Sequence, residues 1–283
     1  MMQTPYQIIQ QMLIGKISSG VLSLLPRKWE KLGDVLIIKL SSFLEPFSNE
    51  IGEVYASVLG CKSVLVDTGG ISGPYRKPVI NHIFGEKKTE TVHDENGIRF
   101  HLDPQEIMFS SGNIDERKRM GFIAHSDEIV IDLFAGIGYF SIPMAVYSKP
   151  QKIVACEINP LSYRFLLLNC KENKVNDIVC PILGDCKKNA PKNIADRVIM
   201  GYFHDTISFL DTAIESLKQQ QGIIHYHDTF PDTAIPDTPL SQVQEACHRY
   251  NRFAYLVGYK KIKSYAPGIS HYVLDIEIRD KGE

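Results

Sequence analysis

Hydrophobic and polar positions follow two different rhythms along the chain. After an apolar run into Asp132, short apolar runs alternate with amphipathic stretches, predicting helix 140–148, strand 152–157, helix 160–173, strand 179–183, strand 196–200, helix 208–219, strand 222–227 and helix 239–251. Strands separated by crossover helices build a parallel sheet. The tail breaks the rhythm. Tyr255 to Tyr265 and His271 to Arg279 are strand-like, with only Ala266-Pro267-Gly268 between them, so they should pair as an antiparallel hairpin. Before residue 106 the texture changes: Leu32 to Leu40 reads as a strand, Phe47 to Leu59 as a helix, and Cys61 to Asp67 as a strand running into a glycine-rich stretch. Glu90 to His93 and Ile98 to Asp103 flank Asn96-Gly97, a strong hairpin signal. The pattern therefore predicts an α/β protein, with a small α/β domain over 1–105 and a larger one over 106–283.

The strand ending at Asp132 leads into Leu133-Phe134-Ala135-Gly136-Ile137-Gly138, a turn of small residues. Glycine there permits positive φ and lets a ligand approach main-chain N–H groups that a Cβ would shield. A dinucleotide fingerprint would carry a third glycine, but Ser141 stands in its place, and an acid precedes the turn. That pattern matches enzymes of S-adenosylmethionine (SAM). Acids recur at the next strand ends: Glu157, suited to both ribose hydroxyls, and Asp185 with Cys186, suited to the adenine edge. Singly each acid is more often a helix cap; three in register at β-α spacing point jointly to the cofactor.

Composition narrows the classes. Of 283 residues, 44% are hydrophobic and 23% charged, as in ordinary globular proteins. No run approaches the roughly eighteen apolar residues of a membrane span, and Met1 to Gly20 lacks the pattern of a secretory leader, so no membrane partner and a cytoplasmic location are expected. Six cysteines form no C-x-x-C pair, so neither disulfides nor a metal is indicated. A net charge of −2 excludes a generic polyanion binder, and dividing the chain at 105 leaves neither part basic. Any nucleic-acid surface must be local, with Arg76-Lys77 and Arg117-Lys118-Arg119 among the short basic runs, whose commoner fate is a solvated face.

Between the domains, Ser110 or Asn113 could cap a helix, with Glu116 completing a capping box. Capping leaves Arg117 unexplained: one turn into the helix, ahead of the cofactor strand, its guanidinium could hold a carboxylate. No general base is evident. His225 and His227 alternate on one strand face near the expected pocket, although packing is the commoner role of strand histidines.

Phe109-Ser110-Ser111-Gly112-Asn113-x-x-Glu116-Arg117, the Asp132 to Gly138 turn, Glu157-Ile158-Asn159-Pro160, Gly184-Asp185-Cys186, Asp196 to Gly201, and in the small domain Gly33-Asp34-Val35 and Gly70-Ile71-x-Gly73-x-x-Arg76 together resemble the archaeal and eukaryotic wybutosine-synthesis aminocarboxypropyltransferases. These act on tRNA and are sisters of the tRNA guanine-N1 methyltransferases. The resemblance implies a class I methyltransferase-like Rossmann fold with a seven-stranded sheet. It also implies transfer of the 3-amino-3-carboxypropyl group of SAM to C7 of 4-demethylwyosine, with release of methylthioadenosine.

By the same resemblance Glu157 meets ribose, Asp185 and Cys186 meet adenine, Ser110 and Arg117 lie at the methionine end, and Phe134, Gly136, Gly138 and Ile158 line the cofactor. Arg76 and Lys77 are the candidate tRNA contacts. Methyltransferases of the sister group carry an Asn-Leu/Pro-Pro segment after the fourth strand, where this chain has Gly201-Tyr202-Phe203. That departure favours aminocarboxypropyl transfer over guanine-N1 methylation; a third reading is a SAM- and RNA-binding module without catalysis.

Overall fold

A computed structural model of the chain describes residues 3–73, 75–203, 205–219 and 221–280. Two compact units divide it, Met1–Ser111 and Gly112–Glu283.

The first unit opens with helix α1 (Pro5–Leu13), which the hydrophobic pattern did not reveal. Its start is a capping box, the Thr4 hydroxyl accepting from the Gln7 N–H while the Gln7 side chain accepts from the Thr4 N–H. Strands β1 (Glu30–Leu32), β2 (Val35–Ile38), β3 (Ser63–Ser72) and β4 (Lys77–Gly85) form one sheet in that order, antiparallel except for β2 beside β3. The single strand expected over 32–40 is thus a hairpin. Gly33 makes the reversal at φ +56°, where a Cβ would collide with Thr91 and the Val92 carbonyl. Helices α1 and α2 (Ser48–Leu59) cover the sheet, burying Ile9, Leu13, Ile51, Val54 and Tyr55 against Leu36, Ile38, Val64 and Val66. Asn96-Gly97 joins β5 (Thr91–Glu95) to β6 (Ile98–Leu102) as the sequence signals, both turn residues at positive φ.

The second unit begins with α3 (Ile114–Met120). A parallel core follows: β7 (Ile129–Asp132), α4 (Ser141–Tyr147), β8 (Lys152–Glu157), α5 (Pro160–Glu172), β9 (Val179–Leu183), α6 (Cys186–Asn189), β10 (Arg197–Met200), α7 (Leu210–Ser216), β11 (Gln221–Pro231) and α8 (Asp237–His248). The chain ends in the hairpin β12 (Arg252–Ala266) and β13 (Ile269–Asp280). The seven strands lie in the order β12-β13-β11-β10-β7-β8-β9, with β13 antiparallel to both neighbours. This is the class I SAM-dependent architecture. Val198, Met200, Ile224, Tyr226, Leu274 and Ile276 pack one face against Leu210, Ala213 and Ile214 of α7 and Val243 of α8. Strand order reverses beside β7, so the crevice at its carboxyl end is the natural ligand position.

The expected cap of α3 is absent. Asn113 is its N-cap residue but makes no side-chain capping bond, and Glu116 is drawn into a buried ion network instead. α5 starts as the sequence suggests: the Asn159 side chain accepts from the Leu161 N–H at 2.9 Å, with Pro160 in the first turn.

Candidate functional site

The β7–α4 turn is held from both sides. Gly136 and Gly138 have φ of +59° and +100°, and a Cβ at Gly138 would strike Ile142 of α4. Asp132 is fully buried, accepting 2.7 Å from the Ser141 hydroxyl and 3.2 Å from the Phe134 N–H. Ser141, where a dinucleotide motif would have glycine, therefore anchors the strand-end acid. Burial pushes the Asp132 carboxyl up to about 6, against the lowering effect of those two bonds. From α5 the buried Asn169 donates to the Ile137 carbonyl at 3.0 Å, buttressing the turn from beneath.

Glu157 reaches back to the same turn. One carboxylate oxygen accepts from the Gly136 N–H and the other from the Asn159 N–H, each at 2.7 Å. Burial raises its pKa, and these backbone bonds oppose the rise. Each oxygen retains a lone pair, which suits the acid to a pair of vicinal hydroxyls. Ile158 is 49% exposed, and Leu183, the registered partner of Glu157 on β9, is 45% exposed. Two bared aliphatic side chains at adjoining strand ends suit a flat apolar ring.

Asp185 caps the short α6 through the Lys187 N–H at 2.9 Å, so the capping role holds for it. Cys186 is buried behind it, its thiol pushed up to about 12 by burial, hence neutral and a packing group. Phe134 stacks on Tyr202 with ring centres 5.1 Å apart and meets Phe209 edge-on at 4.8 Å. Leu183, Tyr202 and Phe209 escaped the sequence reading as wall residues; only Tyr202 carried a signal, standing in the segment where the sister enzymes have Asn-Leu/Pro-Pro.

Together the strand ends of β7, β8 and β9 offer a glycine turn with positive φ, a hydroxyl-binding acid, a second acid and bared apolar side chains. These residues fit SAM. Among the described residues no His/Cys/Asp/Glu cluster is arranged to hold a metal ion.

Arg117 is buried on α3, and Ser110 lies in the first unit and is half-buried. Arg76 occupies the β3–β4 turn at φ +53°, and the adjacent Lys77 is paired with Glu106 at 2.7 Å. His225 is engaged on both ring nitrogens. Its Nε2 accepts from Arg197 at 2.7 Å, so its Nδ1–H donates to Asp275 at 2.5 Å. Burial opposes charge on Asp275, but the bonds from His225 and Arg119 outweigh it and hold the carboxyl well below its usual range. Arg119 in turn grips Glu116 through bonds of 2.7 to 3.0 Å and Asp275 at 2.7 Å. His227 is different: it stacks on Phe140 and contacts His271 at 3.2 Å through Nδ1, while its Nε2 has no hydrogen-bond partner.

Comparison with known proteins agrees with this geometry. The family described as the TRM5/TYW2 methyltransferase domain matches residues 91–255, and the TYW2 N-terminal domain matches residues 9–89. A Methanocaldococcus jannaschii protein named tRNA(Phe) (4-demethylwyosine(37)-C(7)) aminocarboxypropyltransferase is 45% identical over 88% of this chain and 96% of its own length. The Pyrococcus horikoshii protein of the same name is 42% identical over 95% and 96%. A crystal structure of P. horikoshii TYW2 in complex with MeSAdo superposes with a TM-score of 0.88 at 38% identity, covering 98% of this chain and all of that one. The complex of aTrm5 and tRNALeu gives 0.83 at 28% identity, covering 98% and 79%.

Proposed function

The chain belongs to the TRM5/TYW2 family, and from that premise we propose that it is the tRNA(Phe) 4-demethylwyosine aminocarboxypropyltransferase of wyosine-derivative biosynthesis. It moves the 3-amino-3-carboxypropyl group of SAM to C7 of the tricyclic base beside the anticodon and releases methylthioadenosine. The observation that carries the choice over guanine methylation is the close of β10. Tyr202 stacks on Phe134, and no Asn-Leu/Pro-Pro segment follows the strand. The 45% and 42% identities to relatives named for this activity, against 35% for a Pyrococcus abyssi protein named tRNA (guanine(37)-N(1))-methyltransferase, support the same choice.

SAM supplies an electrophilic sulfonium with three activated carbons, and the enzyme selects among them by position. Glu157 binds the ribose hydroxyls, and Asp185 with the backbone at Cys186 recognises the adenine edge between Ile158 and Leu183. Gly136 and Gly138 let the main chain close on the cofactor, and Arg117 holds the methionine carboxylate. By fixing both ends, these groups leave the arm turned so that Cγ faces the acceptor.

The acceptor is tRNA, and Arg76 at the exposed β3–β4 turn contacts its backbone, with Lys77 beside it. A tRNA substrate supports a cytoplasmic location. Incubating the protein with SAM and tRNA carrying 4-demethylwyosine, then identifying the nucleoside by-product, tests the reading. Methylthioadenosine supports it, and S-adenosylhomocysteine as sole by-product refutes it.

A further inference from the structure

Electrophilic substitution at C7 leaves a proton to be removed, and the second unit contains a chain of side chains built to accept one. Glu116 on α3, His227 on β11 and His271 on β13 line up: Glu116 Oε1 lies 4.0 Å from His227 Nε2, and His227 Nδ1 lies 3.2 Å from His271 Nε2. His271 Nδ1, at the far end, has no hydrogen-bond partner although the residue is only 1% exposed. Leaving a buried nitrogen unpaired is costly, so its retention calls for a use.

Position supplies one. β13 runs antiparallel to β11, with His271 opposite Thr229 and His227 opposite Val273, so His271 stands nearer the carboxyl end of the parallel strands, where the crevice opens. Its ring meets Phe203 edge-on at 4.4 Å, and Phe203 belongs to the segment that replaces the Asn-Leu/Pro-Pro element. Asn113, at the head of α3, adds another buried unpartnered acceptor, Oδ1.

We infer that His271 is the proton acceptor of the transfer reaction, with His227 and Glu116 as the positioning residues that set its tautomer. This rests on the aminocarboxypropyl reading above. The negative charge of Glu116, 4.0 Å from His227 Nε2 and not hydrogen-bonded to it, favours the proton on that nitrogen; His227 Nδ1 then accepts from His271 Nε2–H, and His271 Nδ1 presents a lone pair. C7 of the base attacks Cγ; the C7–Cγ bond forms, and the Cγ–S bond breaks with its electron pair going to sulfur, giving methylthioadenosine. The C7–H bond then breaks, its electrons restoring the aromatic ring and its proton passing to His271 Nδ1. The positive charge of the sulfonium ends on the imidazole.

The groups around His271 suit that role. Burial, then Lys263 across the strand pair, depress its pKa to about 3, so it is neutral and ready to accept. The cationic adduct at C7 is acidic enough for so weak a base. His225 differs from the pair: with both nitrogens bonded it fixes Asp275 and Arg119, and through Arg119 it fixes Glu116.

The test compares wild type with His271→Gln, whose amide can keep the bond to His227 while the Nδ1 acceptor is lost. kcat should fall by about 10²–10⁴-fold with SAM affinity unchanged, and added imidazole should restore part of the rate of His271→Ala. His227→Leu, which leaves the acceptor ring but removes its orienting partner, should lower kcat with SAM binding intact. Wild-type kcat in His271→Gln overturns the inference. So does a loss of SAM affinity in step with rate, the mark of a structural role. If His271→Gln fails to fold, wild-type kcat in His227→Leu overturns it. Failure of the underlying reading looks different: wild type itself then yields S-adenosylhomocysteine.

Discussion

Glu157 concentrates the cofactor chemistry in one side chain, since its two oxygens fix the glycine turn and the start of α5 while facing a ligand. Charge-assisted hydrogen bonds contribute about 1.5–3 kcal/mol each. Glu157→Ala should therefore weaken SAM binding by at least about tenfold, read by titration calorimetry, and an unchanged affinity would dismiss its role. Asp132 makes a pH prediction. Its folded pKa of about 6 exceeds the ordinary 3.8, so the stability it confers is full below about 3.8 and is lost as pH rises through about 6. Asp132→Asn lacks this loss, so the wild-type thermal midpoint should fall relative to that of the variant between about pH 4 and 6; a pH-independent difference would contradict the raised pKa. These acids were legible in the sequence because each ends a strand and precedes a helix, a local pattern. His271 was not. Its significance arises from pairing with His227 across two antiparallel strands and from the end of β10 coming beside it, neither of which leaves a local mark.

Elements show the same division between local and distant causes. α5 was readable because Asn159-Pro160 supplies its cap and first turn within two residues. α3 was readable as a helix but not as an uncapped one, because Glu116 answers to Arg119 and Asp275 rather than to its own helix start. The contrast is measurable by chemical denaturation. Asn159→Ala should cost about 1 kcal/mol of stability, whereas Asn113→Ala, which removes no capping bond and relieves an unpartnered buried oxygen, should cost nothing. A comparable loss in both variants would contradict the cap assignments. β4 was missed because its partner β3 continues as strand through Gly69-Gly70, residues that signal a turn in isolation. The sheet hydrogen bonds of the first unit override that local preference.

Across the whole molecule, the fold class followed from the alternation of strands and helices closed by a hairpin, and that order is the one observed. The net charge of −2 keeps affinity for tRNA dependent on a few placed cations. Changing Arg76 and Lys77 together to Ala should weaken tRNA binding and reduce its salt slope by about one to two, leaving SAM affinity unchanged. Equal loss of tRNA and SAM binding would count against this turn as an RNA contact. In the proposed reaction the amino-acid arm of SAM, not its methyl group, reaches the tRNA. Separate reactions with SAM labelled in the carboxyl carbon and in the methyl carbon test it directly. The carboxyl label should enter tRNA bearing 4-demethylwyosine while the methyl label leaves with the adenosine fragment; methyl label in the tRNA, with none from the carboxyl, would contradict it.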